Sequence, residues 1–170
     1  MPSLQELCHG ISCGTRQVAL AGGDWLIALS FEFAAEAAEI SNTPRLMRIL
    51  AQHMSRTTAG EAMELEWDGS LSWDAYLTIA ADKTAPLLTA PLQGVAVMAL
   101  DARAEMVVAS YFRYLGKAYQ IANDIMNFEG KDGAKSVGSD LSRRAPNAVT
   151  LSFRNGFTPV KQAEFDAWYE

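Results

Sequence analysis

The segment Gly116-Lys117-Ala118-Tyr119-Gln120-Ile121-Ala122-Asn123-Asp124-Ile125-Met126-Asn127-Phe128 holds the densest set of residues able to do chemistry. On a helix, Gly116, Gln120, Asn123, Asp124 and Asn127 fall three or four apart and share one face. Turned inward, such a stripe of amides and one carboxylate costs several kcal/mol unless it is hydrogen-bonded or bound to a cation. A solvated face would more usually carry Glu and Lys. The competing reading is an ordinary exposed face.

Directly downstream, Lys131-Asp132-Gly133-Ala134-Lys135-Ser136-Val137-Gly138-Ser139-Asp140 sets two lysines among glycines and serines. That composition suits an anion such as phosphate, although many surface loops share it. Its place one turn beyond the stripe strengthens the reading. A carboxylate holding Mg²⁺ beside lysines holding phosphate oxygens is the layout of a diphosphate site. Two further groups are less specific: Asp82-Lys83-Thr84, and Gly60-Glu61-Ala62-Met63-Glu64. The two glutamates receive no catalytic role from their spacing. His9 and His53 have no Ser or Cys partner arrangement that would make a nucleophile.

The elements that must position these groups are helical nearly throughout, with no sustained strand alternation. A first helix is expected over about 15–40, rich in Ala, Leu and Phe. Ser41-Asn42 breaks it, and Thr43-Pro44 starts the next, with Thr43 as N-cap and proline in the first turn. That second helix runs to about Leu65 and ends at Asp68-Gly69. Ser72 caps a third, and Pro86 and Pro91 should interrupt or kink the stretch 80–100. Asp101 caps a long helix over about 102–128. A loop covers 129–140, residues 143–155 carry no clear pattern, and Thr158-Pro159 starts a last helix. Short connections favour antiparallel neighbours in an all-α bundle.

The 170 residues suit one domain, 1–170, with 49% hydrophobic and 20% charged residues. A net charge of −6 argues against general nucleic-acid binding. Cys8 and Cys13 lack the further partners a zinc set needs; reduced thiols are expected, with one disulfide between them as the alternative. Gly22, Gly23, Asp24, Glu32, Glu36 and Glu39 break up the longest apolar stretch, so no membrane span is expected and a cytoplasmic location follows.

Taken together, these segments resemble the trans-isoprenyl diphosphate synthases, the polyprenyl synthetase family. Leu20-Ala21-Gly22-Gly23-Asp24-Trp25-Leu26 resembles that family's LAGDALL helix with one extra glycine. Gly60-Glu61 resembles the start of GQ…DL, and Asp82-Lys83-Thr84-Ala85 resembles KTA. Residues 116–128 resemble GxAFQIxDDxLDF, and 135–141 resemble KPxGxDL. The resemblance implies an isoprenoid-synthase bundle with a central cavity for a prenyl chain. The implied reaction is the Mg²⁺-dependent condensation of an allylic diphosphate with isopentenyl diphosphate. It further implies that Lys83 binds the allylic diphosphate, Thr84 lies near the developing cation and Gln120 lies near the second diphosphate. Asp124, with Asn123 and Asn127, would hold metal, and Lys135 would be a second phosphate lysine.

Three departures stand out. Asn123 and Asn127 replace two of the three aspartates of the second metal motif, which weakens a site for a hard cation. No DDxxD precedes Ala21, so the helices carrying the first motif are expected to lie before Met1. Arg143-Arg144-Ala145-Pro146-Asn147 replaces the GKxT turn. Three roles follow: a prenyltransferase domain acting with a partner prenyl synthase chain as a homo- or hetero-oligomer, a non-catalytic regulatory subunit of a heteromeric synthase, or a truncated inactive remnant.

Overall fold

A computed structural model describes residues 16–66, 72–131, 139–142 and 144–169. Among them every regular element is an α-helix: α1 (Arg16–Ile40), α2 (Arg45–Leu65), α3 (Trp73–Met98), α4 (Ala102–Glu129), α5 (Ser139–Ser142), α6 (Ala148–Asn155) and α7 (Pro159–Tyr169). The all-α expectation holds. The chain forms two compact units, Met1–Leu50 and Ala51–Glu170.

The first unit contains α1 and the opening turns of α2. Asn42 supplies the left-handed φ of 50° that ends α1, a conformation its short polar side chain tolerates. Ser41 donates its hydroxyl to Ala37 O at 2.6 Å, and the Thr43 amide donates to Ala38 O at 2.8 Å. Thr43 was expected to cap α2 through its side chain, but its hydroxyl donates backwards to Ser41 O. Composition alone does not rule a membrane span out of α1. Asp24 and Glu32 are the only charges between Gln17 and Ala35, so α1 is long and apolar enough over Gln17–Ile40 to cross a membrane by length and composition.

The second unit is organised by α3 and α4, which three residues connect. Ser72 caps α3 by accepting from the Ala75 amide, and Asp101 caps α4 by accepting from the Ala104 amide at 2.9 Å. Gly130 ends α4 at a φ of 73°, where a glycine carries no Cβ penalty. Pro86 and Pro91 do not interrupt α3, which runs through both. A proline removes one donor from the ladder, and flanking packing holds the helix here: Ala85, Pro86, Thr89 and Ala90 are all buried. As numbers rise along α4 their partners fall along α3, from Glu105 with Gln93 to Asp124 with Tyr76. The pair is antiparallel.

A helix also forms within 143–155, where the sequence offered no pattern. Asn147 makes it possible, its side-chain oxygen accepting from the Val149 and Thr150 amides. Leu151 and Ala148 then pack with Tyr76 and Ala80, flanked by Trp73, Leu77 and Ile121. Arg154 grips Asp166 through two bonds of 2.6 and 2.5 Å, tying α6 to α7.

Candidate functional site

Two glycines let helices close on one short stretch of α3. A Cβ at Gly60 of α2 would stand 2.8 Å from Asp82 C and Lys83 N, and one at Gly116 of α4 would stand 2.9 Å from Ala85 N. Neither position accepts a larger residue without backbone movement. Residues 82–85 are therefore held between α2 and α4.

The side chains of that stretch are engaged in order. Asp82 accepts from Arg56 at 3.0 Å and from Arg113 at 3.1 Å. Lys83 meets Glu64 at 2.5 Å and Glu61 at 3.2 Å. Burial pulls the Lys83 pKa down, but the hydrogen bond and charge of Glu64, with help from Glu61, outweigh it and leave the ammonium more basic than usual. An ammonium has three donors, and the two glutamates use two of them. Thr84 accepts from the Gln120 amide at 2.6 Å. Thr84 and Gln120 are thus in contact, while the Lys83 ammonium turns to the two glutamates of α2. Glu61 and Glu64, given no role from sequence, are the partners of Lys83. Their signal was present as two carboxylates one helical turn apart, but spacing within one helix says nothing about what faces it.

The polar stripe of α4 turns inward: Gly116, Asp124 and Asn127 are buried, and Gln120 and Asn123 are half-buried. The exposed-face reading fails. Asp124 is only 8% exposed. Its Oδ2 accepts from the Tyr76 hydroxyl at 2.6 Å and from the Ala148 amide at 2.7 Å. Burial, and then the bond and charge of Asp124, push the Tyr76 phenol far above its ordinary range. Tyr76 had no assigned role in the sequence reading, although it lies seven residues before Lys83 on one side of α3.

These residues do not fit a resident Mg²⁺. One carboxylate oxygen is committed to a phenol and a helix N-terminus, and its two companions are neutral amides, whereas Mg²⁺ favours octahedral carboxylate and water oxygens. Among the described residues no group of three or more His, Cys, Asp or Glu could hold a metal ion. Lys135, with Cys8 and Cys13, lies outside the described residues.

Three cavities bear on ligand binding. One of about 360 Å³ is lined by His53, Arg56, Asp82 and Arg113 among others. An apolar one of about 430 Å³ is lined by Trp73, Ile121, Ile125, Ala148 and Phe153, with Val149 and Ser152. A third, of about 490 Å³, lies among α4, α5, α6 and α7. Lys83, Thr84 and Gln120 line none of these three.

Comparison with known proteins gives the family. The model of the polyprenyl synthetase family matches residues 5–170. The octaprenyl diphosphate synthase of Haemophilus influenzae is 28% identical over 140 residues, covering 79% of this chain and 41% of its own length. Heptaprenyl diphosphate synthase component 2 of Bacillus subtilis is 28% identical over 130 residues, covering 74% of this chain and 36% of its own. The chain therefore spans less than half the length of these relatives. Among solved structures, a polyprenyl synthase from Caulobacter crescentus, complexed with calcium and isoprenyl diphosphate, superposes with a TM-score of 0.72 at 30% identity. That match covers 92% of this chain and 47% of the other.

Proposed function

Because the chain belongs to the polyprenyl synthetase family, we propose that Lys83, Thr84 and Gln120 form its contact with a prenyl diphosphate headgroup. The domain then serves the condensation of an allylic diphosphate with isopentenyl diphosphate. The observation that supports this is the Gln120–Thr84 bond beside Lys83, at the stretch of α3 that Gly60 and Gly116 allow two helices to reach. A neutral hydroxyl and amide orient an oxyanion, and the third donor of Lys83 adds charge. Mg²⁺ enters this reading only as the counter-ion of the diphosphates, and the carboxylates that hold it come from outside the described residues. Lys135 belongs to the same reading as a second phosphate lysine.

The reading includes a second prenyl synthase chain in a homo- or hetero-oligomer, with the apolar surface of α1 as a helix-packing face rather than a membrane span. The relative named as component 2 of a heptaprenyl synthase motivates the heteromer. A cytoplasmic location goes with it, since charged diphosphates do not cross apolar barriers unaided. Partition of the expressed chain into the membrane fraction after carbonate washing would remove both points.

The second reading is a non-catalytic subunit. It rests on one observation: Lys83 and Asp124, the two charged members of the set among the described residues, are both engaged by the protein's own groups. Titrating the full chain with geranyl diphosphate separates the two. The binding reading expects saturation and at least a tenfold loss on Lys83→Ala. Equal affinities in the two proteins would reject it. Co-expression with an active synthase then shows whether Lys83→Ala lowers turnover or leaves it intact, and a chain that fails to unfold cooperatively would mark a remnant.

A further inference from the structure

We propose that the cavity among α4, α5, α6 and α7 is a second binding site, for an amphiphile with an apolar chain and a phosphate headgroup. Its volume, about 490 Å³, falls in the range of roughly 300–1,000 Å³ typical of small-molecule sites. Phe128, Phe153, Phe165 and Trp168 supply apolar walls, and tilted and edge contacts among Phe153, Phe165 and Trp168 hold three of them in place. Two polar residues line this apolar space, Arg144 and Thr150.

Thr150 is 6% exposed, and its Oγ1 is buried with no hydrogen-bond partner among the described residues. Buried hydroxyls are almost always satisfied, and an orphan calls for an acceptor or donor from elsewhere. Arg144 is exposed. Its backbone adopts a φ of 54°, a left-handed conformation that side-chain-bearing residues seldom take and that clusters at functional positions. A guanidinium in this setting matches a phosphate through paired donors, while the aromatic walls take the chain. The hydroxyl of Thr150 meets a polar atom at the junction of the two. The cavity shares no residue with the Lys83, Thr84 and Gln120 cluster, so it stands whether or not that cluster binds diphosphate.

The test is calorimetric titration of the full chain with four probes, each below its micelle-forming concentration: farnesyl monophosphate, dodecyl phosphate, farnesol and inorganic phosphate. The site expects saturable binding of one or both phosphorylated chains, at least tenfold weaker binding of farnesol and none of inorganic phosphate. A preference for farnesyl over dodecyl phosphate identifies a prenyl source, and the reverse an alkyl one. Arg144→Gln should erase the tenfold advantage over farnesol. Val149→Trp, which fills the cavity from α6, should abolish binding of both chains, with Arg144→Gln as the surface variant that does not depend on core packing. All titrations are run in the Lys83→Ala background, so that a headgroup contact at that cluster adds no signal. Absence of saturable binding, or binding that survives both cavity variants, overturns the proposal.

Discussion

Replacing Asp124 separates a structural carboxylate from a metal ligand. Its Oδ2 accepts from Tyr76, which is 4% exposed, and from the Ala148 amide, whose residue is also 4% exposed. Asp124→Ala strands both donors in the interior. A buried polar group left without its partner costs about 1–3 kcal/mol, so two of them give a loss of about 3–5 kcal/mol. At about 2–4 °C per kcal/mol for a chain of this size, the melting temperature should fall by roughly 6–20 °C. Tyr76→Phe removes one donor together with its bond and should lose about 1–2 kcal/mol. The double variant should lose less than the sum, because deleting Tyr76 also deletes one of the stranded groups. Urea unfolding of the full chain, followed by helical circular dichroism, measures all three. If Asp124 were a metal ligand, the unmodified chain should instead gain stability on adding Mg²⁺, and Asp124→Ala should remove that gain. A loss under about 0.5 kcal/mol for Asp124→Ala, together with Mg²⁺-dependent stabilisation, would falsify the structural assignment.

Other perturbations test the neighbouring contacts. Gly116→Val places side-chain atoms against the Ala85 backbone at 2.9 Å and should destabilise by about 2–4 kcal/mol. Gly23→Ala, with nothing within 4 Å of the added atom, should be neutral or slightly stabilising in the same urea series. The Arg154–Asp166 pair gives a pH dependence. The bond from Arg154 holds the Asp166 carboxyl below its ordinary value of 3.8. A depressed pKa contributes stability that is present above that value and disappears as pH falls through the folded one. Acid unfolding of Asp166→Asn should therefore begin from a lower plateau and show a shallower dependence below about pH 4, read by the fluorescence of nearby Trp168. An unchanged acid limb would remove the pair from the account of α6 and α7.

Caps, turn residues and motif spacing are local, and they made α1 to α4 legible in the sequence. Ser72, Asp101 and Thr158-Pro159 all stand at helix starts. Local rules failed where tertiary packing decides. Pro86 and Pro91 read as a break or a kink because a proline removes a donor whatever surrounds it, and of these the break is absent: α3 runs through both, among buried neighbours. The 143–155 stretch lacked a pattern because α6 is short and Asn147 alone begins it. At the site, spacing on one helix placed Gln120, Asp124 and Asn127 on one inward face. It could not show that Tyr76, forty-eight residues away, meets Asp124, or that Lys83 lies against α2.

The contact between α2 and Lys83 raises a question of charge. Arg56, Gly60 and Glu64 stand four apart on α2. The arginine pairs with Asp82, the glycine touches the backbone of 82–83, and the glutamate pairs with Lys83. Opposite charges on either side of a close approach fix the register of the two helices, because a one-turn slip would set Glu64 toward Asp82. Glu64 is then part of the scaffold. Glu61 is not: its side chain is 54% exposed and it meets Lys83 at 3.2 Å, the geometry of a pair worth at most about 1 kcal/mol. What Glu61 does is leave Lys83 facing two negative charges, which opposes any incoming phosphate. Glu61→Gln should accordingly tighten geranyl diphosphate several-fold in titrations at low salt, and less so as ionic strength rises, with stability unchanged. Glu64→Gln should instead lower stability by about 1–2 kcal/mol. If Glu61→Gln leaves the affinity unaltered at every salt concentration, Lys83 belongs to the scaffold alone, and the headgroup contact must be sought elsewhere on α3 and α4.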